Sequence, residues 1–245
     1  MSSTIHVHCL PDHFTPDLLA GGIAVVVDVL RASTSILTAL HNGAAGIIPC
    51  LSVDEARTHR SNDSTVLLGG ERGGVRLHGF DLSNSPADYD HSVVQNRTIA
   101  FTTTNGTRAL LHSANADQVL VGAFVNVGRL SEYLRSNRQP LHIVCAGTDG
   151  TITGEDVLFA GCLIERLMTL SIDRANIELT DPASMALGWW QHESAQRSLA
   201  ETLKRTQGGK NLVALSFDGD IELAVQQDCC PVVARFNPSS GRITT

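Results

Sequence analysis

Short runs of β-branched and apolar residues at 23–28, 46–49, 65–68, 98–102, 118–121 and 141–145 punctuate the first two thirds of this chain. Between most of them, at 33–41, 53–60, 106–114, 127–136 and 155–170, apolar residues recur at helical spacing. This alternation constrains the fold more than any other feature. Strands joined through helices run parallel, and a parallel sheet must be covered by helices on both faces. The expected fold is therefore α/β, a three-layer α/β/α arrangement with a mainly parallel sheet.

The chain, 245 residues with 42% hydrophobic side chains, is expected to form a single domain over 1–245. From about residue 172 the pattern becomes helical: Asp181-Pro182 reads as a helix start, Gly208-Gly209 as a break and Asp218-Gly219-Asp220 as a cap. A last strand is expected at 231–236. The Trp189-Trp190 pair reads as helix or core packing, and apolar helices around it make a homodimer an expectation. Residues 69–90, rich in Gly, Ser, Asn and charge, are too long for an ordinary connection and read as an active-site loop.

The net charge of -7 offers no broad basic footprint for nucleic acid or an anionic membrane. The N-terminus carries no signal-type apolar segment, and no apolar run reaches the ~20 residues of a membrane span, so a cytoplasmic protein is expected. Its six cysteines (Cys9, Cys50, Cys145, Cys162, Cys229, Cys230) lack metal-type or C-x-x-C spacing and read as free thiols.

Polar residues concentrate where strands should end. Asp28-x-x-Arg31 with Ser33 follows the first apolar run, where a carboxylate beside so much Val and Ile costs several kcal/mol unless paired or metal-bound. Glu71 and Arg72 lie in a glycine-rich stretch, with Asp81, Ser83 and Asn84 behind them. Thr103, Thr104 and Asn105 follow a third strand, and Cys145 with Gly147, Glu155 and Asp156 a fourth. In a parallel sheet such ends share an edge and converge on one crevice. Helix N-termini, glycine amides and hydroxyls bind anions there, and Arg31 and Arg72 supply planar forks suited to phosphate, carboxylate or sulfonate. Acids beside an anion site would repel the ligand unless a cation bridged them, which Mg²⁺ does with one or two carboxylates plus phosphate oxygens. A small polyanionic substrate and phosphoryl chemistry follow.

No G-x-x-x-x-G-K-[ST] is present, and no G-x-G-x-x-G follows the first strand. Asp28 lacks the second Asp two residues on of a haloacid-dehalogenase-type phosphatase. The residue six after Cys145 is Thr151 where a Cys-based phosphatase would place Arg.

The segments VDVLRASTSI, GERGG with GFDLSNSP, TTTNGTRAL, and CAG followed by EDVLFAG, in that order, resemble the 2-phosphosulfolactate phosphatase family, and GDIELAVQQD with VVARF continues the match. The resemblance implies a Mg²⁺-dependent phosphatase converting (2R)-2-phospho-3-sulfolactate to 3-sulfolactate and phosphate, a step associated with coenzyme M biosynthesis. On this reading metal ligands come from Asp28, Asp81, Glu155 and Asp156. Arg31, Ser33, Arg72, Ser83, Asn84, Thr103, Thr104, Asn105 and Gly147 bind substrate, and Asp28 or Glu71 activates water, with Cys145 as a less favoured nucleophile. Another small phosphate ester, or a non-catalytic sensor of polyanions, are the alternatives.

Overall fold

The structure is a computed structural model that describes residues 3–170 and 177–245. In chain order its strands and helices are β1 (Ser3–His8), β2 (Ile23–Val27), α1 (Ala32–His41), β3 (Gly46–Pro49), α2 (Val53–Asn62), β4 (Leu67–Arg72), β5 (Val75–Arg76), α3 (His91–Val94), β6 (Thr98–Thr102), α4 (Gly106–His112), β7 (Gln118–Gly122), α5 (Val127–Leu134) and β8 (Leu141–Cys145). There follow α6 (Gly154–Leu170), β9 (Ile177–Leu179), α7 (Asp181–Ser194), α8 (Leu199–Arg205), α9 (Gln207–Ala214), α10 (Asp218–Ala224), β10 (Ala234–Asn237) and β11 (Arg242–Thr244). The boundary expected near 172 lies outside the described residues.

The strands form one mostly parallel sheet in the order β5-β4-β6-β3-β11-β10-β7-β2-β8-β1-β9. The expected α/β architecture is present, with one feature the alternation did not reveal. Two parallel blocks, β4-β6-β3 and β7-β2-β8-β1-β9, are joined by the β10-β11 hairpin, which pairs antiparallel on both sides. Three antiparallel pairings in succession reverse the sense of one block relative to the other. In a flat sheet their carboxyl ends would sit on opposite edges. Contacts between the loops after β2, β4, β6 and β8 show that these ends nevertheless meet, as the right-handed twist of sheets allows.

Side chains of β2 explain the layering. Ile23, Val25 and Val27 point into a core with α5, α6 and α7, while Ala24 and Val26 point into a second core with α1, α4 and residues of β3 and β6. The outer face of the β4-β6-β3 block packs Ile48, Leu68 and Ala100 against Ala56 of α2. Burial of each Val is worth about 1.5–3 kcal/mol, so β2 is anchored firmly enough to carry a buried carboxylate at its end. Trp190 packs into the first core at 5.9 Å from Phe124, with its indole N–H donating to Glu165.

Two glycine pairs behave differently from their sequence appearance. The stretch 69–90 opens as strand: a Cβ on Gly70, at φ +136°, would lie 2.0 Å from the Thr102 carbonyl oxygen, so glycine allows β4 to press against β6. Gly208-Gly209, expected as a break, instead lies in the first turn of α9, where Thr206 Oγ1 accepts from the Gly209 N–H. The helix interruption falls at Thr206.

Strand β1, STIHVH, escapes an apolar-run search because only its alternate residues, Ile5 and Val7, enter the core. His6 and His8 lie on the other face and stack with His142 of β8, at ring separations of 4.7 and 5.3 Å, and a hydrogen bond of 3.0 Å joins His8 Nε2 and His142 Nδ1. Burial, reinforced by the neighbouring imidazoles, pushes His8 and His142 down to about 4. Both are thus neutral in the folded chain but charge in the unfolded chain below their ordinary 6.5. Their stabilisation is complete above pH 6.5 and is lost as pH falls towards 4. Thermal melts should show a shallower fall in stability between these values for His8→Gln than for the unaltered protein.

Candidate active site

A cavity of about 600 Å³ opens where the two blocks meet. Asp28, Leu30 and Arg31 reach it from the end of β2, Glu71 to Gly74 from the β4-β5 turn and Asn84 from the following loop. Thr104 and Asn105 come from the end of β6, and Thr148 and Asp149 from the loop after β8. Gly208, Asn211, Leu212, Ala214 and Leu215 of α9 and its C-terminal cap close the remaining side. Loop contacts tie the halves together: Asn105 Oδ1 accepts the Asp149 N–H at 3.1 Å, and the Gly74 carbonyl accepts from Arg31 at 2.6 Å.

Arg31 is the most fully constrained of the polar groups. Its Nη1 donates to Asp220 Oδ2 at 2.6 Å, its Nη2 to the Gly74 carbonyl, and its guanidinium lies 4.5 Å over the Phe217 ring. Asp220 in turn accepts from Ser85 Oγ at 2.5 Å. Both members of the ion pair are almost wholly buried. The side of the fork that lines the cavity is thereby held in one orientation, suited to planar anion recognition. Arg72 donates to the Glu71 carbonyl at 2.7 Å and to Thr102 Oγ1 at 2.9 Å.

The acids divide by environment. Asp28 Oδ1 accepts the Ala32 N–H at 3.2 Å, while Ser33 Oγ accepts the Asp28 N–H at 2.9 Å, so the carboxylate caps α1 from the strand end. Burial, together with the nearby charges of Glu71 and Glu155, raises Asp28 to about 7 against the lowering effects of the Ala32 N–H and Arg31. Glu71 is pinned through Oε2 by the Gly74 N–H at 2.8 Å and through Oε1 by the Thr104 N–H and hydroxyl at 2.9 and 3.1 Å. Glu155 lies behind Gly208, where a Cβ would fall 1.9 Å from its Oε1, and burial raises it too.

Asp156 is a strut: its two oxygens accept the Val29 and Gly147 N–H groups at 2.9 and 3.1 Å, joining the loops after β2 and β8. Burial, then Glu155 and Asp28, raises it well above the usual range.

Other residues singled out from the sequence lie behind the cavity wall. Asp81 is exposed, ion-paired to Arg60 and accepting the Leu68 N–H at 2.8 Å. Ser33 serves α1, and Ser83 Oγ accepts the Ser85 N–H. Thr103 and Thr107 exchange hydrogen bonds across the start of α4. Gly147 turns at φ +65° where a Cβ would strike Leu10 and Thr151, and its N–H is spent on Asp156. Cys145 is fully buried, and burial with the charge of Asp156 pushes its thiol well above its ordinary value. The contribution of α9 and of Phe217 and Asp220 was not read from the sequence as part of the site. Asp220 stands in the GDIEL segment, and the signal for it was a carboxylate in an otherwise unremarkable helix start.

Two buried oxygens near the cavity, Asn84 Oδ1 and Glu155 Oε2, have no hydrogen-bond partner. An oxygen-rich, acid-rich donor set of this kind fits a hard divalent cation. Among the described residues, no three of the site acids bring ligand atoms within 4.8 Å of one another.

Close packing makes Gly106 a sensitive position, since a Cβ there would lie 2.6 Å from Asp28 Oδ2 and 2.7 Å from the Ala32 Cβ. Gly106→Ala is expected to lower kcat/KM by about 10²-fold, the scale of a 1 Å displacement of a reacting group. Steady-state turnover and a melting curve separate this from unfolding.

The chain matches the profile of the protein family described as 2-phosphosulpholactate phosphatase over residues 9–238. It is 37% identical over 227 residues to a probable 2-phosphosulfolactate phosphatase of Caldicellulosiruptor saccharolyticus, covering 91% of this chain and 92% of that one. A probable 2-phosphosulfolactate phosphatase of Thermotoga petrophila is 38% identical over 205 residues (84% and 85% of the two chains), and one of Clostridium perfringens 35% over 238 residues (96% and 93%). With motifs, fold and full-length similarity in agreement, this chain belongs to the 2-phosphosulfolactate phosphatase family.

Proposed function

We propose that this protein hydrolyses (2R)-2-phospho-3-sulfolactate to 3-sulfolactate and inorganic phosphate with the help of Mg²⁺. The observation that carries the reading is the junction in one cavity of two arginine forks, one of them locked by a buried ion pair, with buried carboxylates. The proposed substrate bears phosphate, carboxylate and sulfonate on adjacent carbons, and the two arginine forks that line the cavity can divide these anions between them.

Asp28 and Glu155 are the residues proposed to hold Mg²⁺, with Glu71 beside them; Asp81 and Asp156 are engaged elsewhere. When bound, the ion would offset the charge between these acids and the phosphate. Arg31 and Arg72 orient the phosphoryl group and take up charge on its equatorial oxygens as the bond to the leaving oxygen lengthens. Glu71, fixed by three donors, accepts the proton of the attacking water. Leu212 and Leu215 on the α9 side exclude bulk water from the reacting face. Phosphate release from the proposed substrate in Mg²⁺ and its loss in EDTA test this reading, and turnover unaffected by EDTA contradicts the metal assignment.

Cys145 has no role in this scheme, because a buried thiol raised so far carries no thiolate at neutral pH. Cys145→Ser is expected to keep near-normal turnover; a loss of activity without a loss of stability would instead place the thiol in the reaction.

A further inference from the structure

On the outer face of the β4-β6-β3 block, away from the cavity lining, Cys50, Glu55 and His59 each bring one ligand atom to within 4.8 Å of the others. No other group of this kind occurs among the described residues. We propose that these three residues form a second metal site, for a thiophilic divalent ion of the Zn²⁺ class.

Local structure builds the tripod. Cys50 follows the last residue of β3, its N–H donating to the Phe101 carbonyl at 2.8 Å, so the thiol is fixed by the sheet. Ser52 caps α2 by accepting the Glu55 N–H at 3.0 Å, which sets the helix phase immediately after the strand. Glu55 and His59, four residues apart, then share the face of α2 that looks back at Cys50. Glu55 spends Oε2 on the Leu51 N–H at 2.7 Å and keeps Oε1. The His59 ring makes no hydrogen bond among the described residues, although it is only half-buried, and the Cys50 thiol makes only a long contact of 3.4 Å with the Ile48 carbonyl.

The donor set selects the ion. Thiolate and imidazole favour Zn²⁺ over Mg²⁺ or Ca²⁺, and one carboxylate completes a neutralising set. Cys50 itself is buried, so the ion would enter from the side of exposed Glu55 and half-buried His59. Three protein ligands leave a fourth position for water or an incoming group, the pattern of open zinc sites. Binding replaces the thiol proton, which passes to solvent as the metal–sulfur bond forms.

Co²⁺ titration of the full chain tests the proposal without reference to turnover. Thiolate coordination gives a sulfur-to-Co²⁺ charge-transfer band in the near ultraviolet, which Zn²⁺ should erase and excess Mg²⁺ should not. Cys50→Ser should abolish the band. His59→Gln, at a half-buried position that leaves the core intact, should weaken Co²⁺ affinity by at least about tenfold, the loss seen even for residues that only support a ligand. A band that survives both substitutions, or no band in the unaltered protein, overturns the proposal.

Discussion

Arg31→Ala should cost this protein both its activity and about 3–5 kcal/mol of stability, the penalty for leaving one partner of a buried ion pair alone. The two losses have one origin. Arg31 neutralises Asp220 inside the protein while presenting its fork to the cavity, so its removal strands a carboxylate that only Ser85 Oγ still partners. A pair replacement by apolar residues separates the effects: Arg31→Met with Asp220→Leu removes both charges and should recover much of the stability. It should recover none of the activity, because no cation is restored to the anion site. Denaturant unfolding and phosphate release on the same preparations check this. Single-variant stability near that of the unaltered protein would show that the pair is not buried as described.

Asp28→Asn is expected to behave in the opposite way, with a loss of activity of about 10²–10³-fold, in keeping with the several kcal/mol a bridging cation supplies, and no loss of metal-free stability. Asp28 is raised to about 7 in the fold, so without a cation it keeps its proton where the unfolded chain, at an ordinary 3.8, has released it. The sign follows: this group favours the fold fully below pH 3.8, and that contribution is lost as pH rises through 7. In EDTA, the stability difference between Asp28→Asn and the unaltered protein should therefore grow in favour of the variant from pH 4 to 7. Mg²⁺ affinity of the unaltered protein should rise over the same range, since the ion must displace the proton. A stability difference that does not vary with pH would remove Asp28 from the buried acid cluster.

Much of this site was legible in the chain because strand ends are marked chemically. Val-rich β2 can only be a buried strand, and the carboxylate at its end had to be explained. Asp28, Arg31, Glu71, Arg72, Asn84, Thr104 and Asn105, read from four separate segments, line one cavity. Backbone duties were harder to foresee. Asp156, Ser33 and Thr103 sit in the same segments but accept backbone N–H groups, that of Gly147 among them, a demand that is invisible until the chain path is known. Asp81 was drawn into the metal set by proximity in sequence, whereas the turn after Leu77 aims it at Arg60. The reversal between sheet blocks also had no local signal, because β10 and β11 are short and pair with strands more than a hundred residues away. The wall supplied by α9 and the Asp220 contact from α10 arise from the same long-range closure.

Discrimination between 2-phospho-3-sulfolactate and 2-phospholactate, which lacks only the sulfonate, tests the central claim most directly. Loss of one charge-assisted interaction of about 1.5–3 kcal/mol should lower kcat/KM by roughly 10- to 150-fold. Equal turnover of the two esters, or release of phosphate from neither, would contradict a cavity built to read three anions.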